Sequence, residues 1–471
     1  MNPLDLSALE LSDLLARRDL SAAELMRLTL DQVAATNGKI NAIASLRDPA
    51  TLIAEAEQMD RTARKGWLHG IPLAVKDLAN AKGFVTTMGS PIFARSAPAK
   101  TDDISIARLR AAGAIVIGKT NTPEFGLGSH SFNPVHGTTV NPYDPTRAAG
   151  GSSGGAAAAL ACRMLSIADG SDMMGSLRNP AAWNNVYGMR PSWGLVPSEP
   201  LGESFLHQLA TVGPMARSPR DLAALLDTMA GPDPRQPHAD RQDPALPAMS
   251  AELKGARLGW LGDWGGAYPY APGIDEAARR ALDQMTELGA QISHVPPPMD
   301  AGELWDAWIT LRSWQVASGL APLYQSHPEQ LKDSAVWEVE RGLRLTLAEI
   351  NHASLIRSRG FAAAASVFDS YEALVLPAAQ LWPFDADISY PTEIAGQAMD
   401  TYHRWMEVVI FASLLGLPVV SIPAGFGGPD ALPFGLQLIG PRGSDAKLLR
   451  IAEGWHQATD WPNARPPSGQ P

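Results

Sequence analysis

A single cysteine, Cys162, stands in 471 residues. No intrachain disulfide can form, which suits a reducing compartment. Positive charge is also in short supply: 38 Lys and Arg face 49 Asp and Glu, a formal net charge of −11. No Lys/Arg cluster makes a basic face, so nucleic-acid binding is not expected. No apolar run is long enough to span a bilayer. The opening residues, Met1-Asn2-Pro3-Leu4-Asp5, have neither a basic n-region nor an apolar h-region. No signal peptide is therefore expected, and a cytoplasmic location is. His-Glu-x-x-His, paired Cys-x-x-Cys and clustered His/Asp ligands are all missing, so neither a metal nor a cofactor is expected.

What remains is ample for a large globular core. Apolar residues make up 45% of the chain, and 42 Gly and 39 Pro fit many tight turns rather than disorder. Ser7 and Ser21, the latter with Glu24 three residues on, read as caps of two amphipathic helices within 7–36. Further helices are expected at 50–64, 104–112 and 274–288, and over most of 302–366. Buried strands are expected at Ile71 to Lys76, 114–117, 256–261, 374–377 and 419–423. The alanine run from Ala156 to Ala161 reads as a tightly packed helix, and 126–150 and 231–248 read as loops.

Two motif matches fail on context. Gly113-Ala114-Ile115-Val116-Ile117-Gly118-Lys119-Thr120 fits the phosphate-loop spacing, but its Ala-Ile-Val-Ile centre is a strand whose N–H groups belong to a ladder. Gly151-Ser152-Ser153-Gly154-Gly155, like the window one residue earlier, fits G-x-S-x-G. A nucleophile elbow needs a strand directly before the serine, and Pro142 to Gly150 is a loop. Cys162 reads as a small buried hydrophobe rather than a nucleophile.

The chemistry concentrates in two serine turns and a lysine. Gly150-Gly151-Ser152-Ser153-Gly154-Gly155 is followed by Asp172-Met173-Met174-Gly175-Ser176-Leu177-Arg178, with Ser176 24 positions after Ser152. Glycine-containing turns let backbone N–H groups converge on an anion. Upstream, Lys76 ends an apolar stretch, where loss of solvent weakens its preference for charge. A neutral amine near two hydroxyls is a base beside a nucleophile, with no need of histidine. Adjacent strand residues point to opposite faces, so Lys76 is poorly placed to pair with Asp77.

In these motifs the chain resembles the amidase signature family, the amide hydrolases with a Ser–cis-Ser–Lys triad. Asn141-Pro142-Tyr143-Asp144-Pro145, Gly416-Leu417-Pro418 and Gly435-Leu436-Gln437-Leu438-Ile439-Gly440-Pro441-Arg442 extend the likeness over most of the chain. The resemblance implies an α/β fold with a large, mixed, mostly parallel central sheet covered by helices on both faces. It implies one domain over 1–461, with a catalytic core near 66–220, a variable helical pocket region near 300–370 and a flexible tail at 462–471. Carried over by motif, Lys76 is the base, Ser152 the bridging serine in a cis peptide and Ser176 the nucleophile. Backbone N–H groups of Met173, Met174, Gly175 and Ser176 form the oxyanion hole, Gly126 faces the site, and Asp172 and Arg178 brace the turn.

One departure matters. The family's usual motif has Gly-Gly-Ser where this chain has Met174-Gly175-Ser176, although relatives with alanine in these places exist. If that backbone needs a positive φ, Met174 is strained by roughly 1 kcal/mol or more; otherwise it lines the pocket. Trp305, Trp308 and Trp314 can share a helix face in the pocket region or simply pack in the core. The expected function is hydrolysis of a small aryl or alkyl amide, with ester cleavage as a side activity, by an enzyme of a family that often dimerises. Two rivals stand beside it. One is the glutamine-hydrolysing A subunit of a tRNA-dependent amidotransferase, which would need an acidic residue near Met406, with Glu407 adjacent. The other is a binding protein that kept the fold.

Overall fold

The computed structural model describes residues 2–467. The chain opens with helices Ala8–Arg17 and Ala22–Ile40. Ser7 and Ser21 cap them, and each closes a capping box with the glutamate three residues on, Glu10 and Glu24. Strand Pro72–Lys76 then runs parallel to Ile115–Thr120, whose other edge pairs with Ile43–Leu46. The phosphate-loop look-alike therefore lies in a buried strand. Its Lys119 carries its ammonium 3.6 Å from the Asp77 carboxylate.

The main sheet has eight strands. In spatial order they are Gln291–His294, Arg257–Trp260, Ala373–Pro377, Leu432–Ile439, Val419–Gly427, Tyr187–Arg190, Thr211–Ala216 and Ile167–Asp172. The α/β class and the mixed sheet agree with expectation, but the mostly parallel character does not. Only the first two ladders are parallel, and the other five are antiparallel. One of the five has a local reason: Val419–Gly427 and Leu432–Ile439 form a hairpin in the middle of the sheet, and a hairpin joins antiparallel neighbours; the other four follow from which distant strands meet.

Alternation along the central strands covers both faces. Val420, Ile422, Leu436, Leu438 and Val375 point into one core, with helices Pro219–Met229, Ile274–Glu287 and Asp445–Thr459. Val419, Ile439, Leu374 and Leu376 point into a second, with helices Ala301–Ser326 and Leu347–Phe368. The alanine helix, Gly154–Ala161, is wholly buried. A Cβ on Gly155 would lie 2.4 Å from the Asn121 nitrogen and 2.5 Å from the Ala42 oxygen, so only glycine admits that backbone approach. Cys162 follows this helix, buried.

The expected tail boundary at 462 is too early. Trp461–Ala464 is a short helix, and Pro462 is buried against the body. Arg163 donates to the Pro462 carbonyl at 2.9 Å. Residues 468–471 of that tail lie outside the described residues. No helix among the described residues is long and apolar enough to cross a membrane.

Candidate active site

Lys76 is the last residue of its strand and is 1% exposed. Its amine donates to Ser152 Oγ and Ser153 Oγ, each at 2.8 Å, and to Ser171 Oγ at 3.1 Å. Asp77 faces the other way, towards Lys119, His136 and the Thr87 hydroxyl. Burial pulls the Lys76 amine down to about 7, against the opposing pull of the Asp169 and Asp172 carboxylates.

The serine turns meet through the backbone. The Gly151–Ser152 peptide is cis. The next N–H, of Ser153, donates to the Ser176 carbonyl at 3.2 Å. Ser129 and Ser131 hold the first turn from outside, with Oγ donating to the Gly151 carbonyl at 2.6 Å and the Gly150 carbonyl at 2.9 Å. Only isolated bridges precede Ser152, so the strand of a nucleophile elbow is absent. Among the described residues no histidine hydrogen-bonds Ser152, Ser153 or Ser176.

Ser176 follows strand Ile167–Asp172 and precedes helix Arg178–Trp183. Asp172 shapes the turn between them. Its carboxylate accepts the N–H of Gly175 at 2.9 Å and of Leu177 at 3.1 Å, and the Arg178 guanidinium in a two-point contact at 2.9 and 3.0 Å. Arg190 adds a third cationic contact at 3.2 Å. Burial alone would raise this carboxyl, but Arg178, with Arg190 and the Leu177 N–H, outweighs it and holds Asp172 well below the usual carboxylate range. Arg178 in turn donates to Gln437 Oε1 at 2.6 Å, to Ser413 Oγ at 2.6 Å and to the Val409 carbonyl at 2.9 Å. The Gly-Leu-Gln-Leu-Ile-Gly motif thus reaches the serine turn through one glutamine.

The positive φ of this turn falls on Gly175, at 79°, and not on Met174. The condition for strain at Met174 is not met; its side chain is 3% exposed, part of the second core, and borders the serine cavity. Gly175 gives its N–H to Asp172, which leaves the N–H groups of Met173, Met174 and Ser176 without a protein acceptor among the described residues. The four N–H groups expected to share one task are thus divided, three free and one spent on the brace.

Ser152, Ser171 and Ser176 line a cavity of about 160 Å³ with Gly126, Met173, Met174, Met406 and Arg312. A Cβ on Gly126 would stand 3.5 Å from Ser152 Oγ, so this glycine lies close to that serine. Met406 lines the wall, whereas its neighbour Glu407 pairs with Arg404 at 3.1 Å. A second cavity, of about 470 Å³, shares Leu127 and Gly128 with the first. Its walls include His130, Phe132, Trp337, Tyr390, Tyr402 and Trp405. Trp305, Trp308 and Trp314 line neither. Trp308 is fully buried, Trp305 lies under the Arg404 guanidinium at 3.7 Å, and Trp314 packs on His207 at 4.5 Å. Among the described residues no group of three or more His, Cys, Asp or Glu side chains is arranged to hold a metal ion.

Residues 24–449 match the family model described as Amidase. The chain belongs to the amidase signature family. Its relatives share nearly its full length. It is 35% identical to the A subunit of the glutamyl-tRNA(Gln) amidotransferase of Thermus thermophilus, over 97% of this chain and 98% of that protein. It is 31% identical to an acylamidase of Rhodococcus erythropolis, over 98% and 97%. Among solved structures it is similar to a bacterial aryl acylamidase of the same family, at a TM-score of 0.89 and 26% identity, covering 98% of this chain and 99% of that one. An amidase is an amide hydrolase, and this chain is one.

Ser153, Ser171, Ser129 and Arg312 escape a reading of the sequence. Ser153 had a signal, since it sits inside the glycine motif. Arg312 had none: it reaches Met173 across 139 residues.

Proposed function

We propose that this amidase hydrolyses a small aryl or alkyl amide to an acid and ammonia or an amine, through an acyl-enzyme on Ser176. The observation that carries the reading is the 2.8 Å contact from the buried Lys76 amine to Ser152 Oγ, with Ser176 in the wall of the same cavity. Neutral Lys76 takes a proton from Ser152 as Ser152 takes one from Ser176. Ser176 Oγ bonds to the amide carbon, and the oxyanion is held by the N–H groups of Met173, Met174 and Ser176. The proton returns through Ser152 to the leaving nitrogen as the C–N bond breaks. Water then releases the acid by the reverse relay, and the same nucleophile cleaves esters.

An aryl or alkyl group is favoured by the aromatic side chains of the cavity that meets the serine site at Leu127 and Gly128, a cavity whose wall also holds Lys332, Asp333 and Asp400. The second reading, glutamine hydrolysis within an amidotransferase, is favoured by the 35% identity to a protein of that kind. Against it, among the described residues no acidic side chain lines the serine cavity to receive an ammonium group, and Glu407 is engaged with Arg404. A binding protein without catalysis would have no use for the relay. The reading takes 1–461 as one catalytic domain, supported by bonds such as Arg178 to Gln437 that cross most of it. It also takes the enzyme to be cytoplasmic and to act on a small molecule, as a homodimer or alone.

The test is ammonia or amine release from aryl, alkyl and amino-acid amides, glutamine included, by wild type and Ser176→Ala. Turnover of an aryl or alkyl amide by wild type, reduced by about four orders of magnitude in the variant, is expected. Turnover of glutamine alone would replace this reading with the second.

A further inference from the structure

Arg312 is 3% exposed and comes from the long helix Ala301–Ser326. Three of its edges are accounted for unequally. Nε donates to Glu338 Oε1 at 2.6 Å, and one terminal nitrogen, Nη2, donates to Tyr402 Oη at 2.7 Å. Tyr402 in turn donates to Glu338 at 2.8 Å, and Ser313 holds the other oxygen of that carboxylate at 2.7 Å. The guanidinium plane is therefore fixed by a closed network. Its remaining nitrogen, Nη1, has only the thioether sulfur of Met173, at 3.3 Å, among the described residues. A thioether is a weak acceptor, and a guanidinium nitrogen carries two N–H donors. Both residues of this contact, Arg312 and Met173, line the same cavity as Ser152 and Ser176.

Buried donors are normally paired, and one left short is a place where a ligand oxygen is worth having. Resting on the amidase reading, we propose that Arg312 is a specificity-determining residue, which selects amides carrying a second oxygen acceptor, a carbonyl or a carboxylate, a few bonds from the scissile amide. The cavity's size agrees: at about 160 Å³ it admits a small group between the serine and the guanidinium. The rest of the wall is apolar, polar-neutral or backbone, so Arg312 is its one cationic group among the described residues, apart from Lys76 behind Ser152. A site built to hydrogen-bond an oxygen rejects an analogue that lacks it more strongly than an apolar wall rejects a missing methylene.

The test compares kcat/KM for three primary amides of matched shape: succinamate (carboxylate), levulinamide (ketone) and 4-methylpentanamide (apolar branch). The homologues one methylene shorter and longer are run in parallel. Wild type is expected to favour an acceptor-bearing amide over its apolar match by tenfold or more, the carboxylate and ketone arms telling an anionic from a neutral partner. Arg312→Lys keeps a cation beside Glu338 but loses the fixed fork. In that variant the ratio is expected to fall towards one, through a rise in KM for the acceptor substrate larger than any change in kcat. A purely structural role would lower activity on all three alike. Equal wild-type rates on acceptor and apolar amides would overturn the proposal and leave the amidase reading intact, whatever the variant's stability. Failure to cleave any amide, with Ser176→Ala no different, would remove both.

Discussion

The Lys76 amine meets Ser152 Oγ at 2.8 Å, and among the described residues no carboxylate lies within salt-bridge reach of it. A lysine so placed is dominated by burial, and its amine is drawn down to about 7. Since the relay needs the neutral amine, kcat/KM should rise as pH passes through about 7 and level off above it. The pH profile of kcat/KM reports groups of the free enzyme and reads this directly. Lys76→Met should cost about 10²–10⁴-fold in kcat and abolish the inflection. A wild-type profile that falls across the same range would contradict the assignment.

Asp172 should matter for stability before it matters for chemistry. Asp172→Asn leaves Arg178 and Arg190 buried without their anion, and breaking a buried pair from one side costs about 3–5 kcal/mol. Urea unfolding of wild type and variant measures it. The sign with pH follows from the depressed carboxyl. The stabilisation from Asp172 is fully present above the unfolded value of about 3.9 and fades as pH falls below it, towards the lower folded value. The variant should therefore lose less stability than wild type on acidification.

The two residues before Ser176 should fail in different readouts. Gly175 holds φ at 79°, and an added Cβ would stand 2.9 Å from Val409 Cγ2. Gly175→Ala should shift the turn, at roughly 1–2 kcal/mol of backbone cost, and lower kcat by about 10²-fold through misplaced N–H donors. Met174→Gly removes a buried side chain, so stability should fall by about 2–5 kcal/mol with no gain in kcat. Steady-state kinetics beside thermal unfolding separates the two.

Trp337 tests the aromatic chamber. It lines the larger cavity and is not among the residues lining the serine cavity. Trp337→Ala should raise KM for an anilide or a long-chain amide by about tenfold, a loss of one aromatic contact, and change acetamide turnover little. Equal effects on both would place the bulky group elsewhere.

Much of the site was legible because glycine and serine requirements are local. Glycine-bearing turns and capping boxes leave a mark within a few residues, and Ser152 and Ser176 lie in such turns; Lys76 was marked by its apolar stretch, and the cis peptide and the roles of all three came from the family resemblance. The strands around them were legible too, by apolar runs. The direction of neighbouring strands was not: it depends on which distant strand each one meets, and five of the seven ladders are antiparallel where a mostly parallel sheet was expected. Arg312 was hidden for the same reason, since its partners Met173 and Tyr402 lie 139 and 90 positions away. The tryptophans at 305, 308 and 314 do share a helix, but spacing alone does not say whether a face meets a core or a cavity.

Gln437 carries a consequence for how the chain comes to life. It contacts Arg178 from 259 residues further along, and also donates to the carbonyls of Pro377 and Val408. On the ribosome, the segment carrying Ser176 emerges long before this last strut exists. The nascent polypeptide can hold lysine and both serines and still lack the scaffold that orients them. Competence is thus timed by the last hairpin, and a proteolytic remnant ending before it would be silent despite carrying every reacting group.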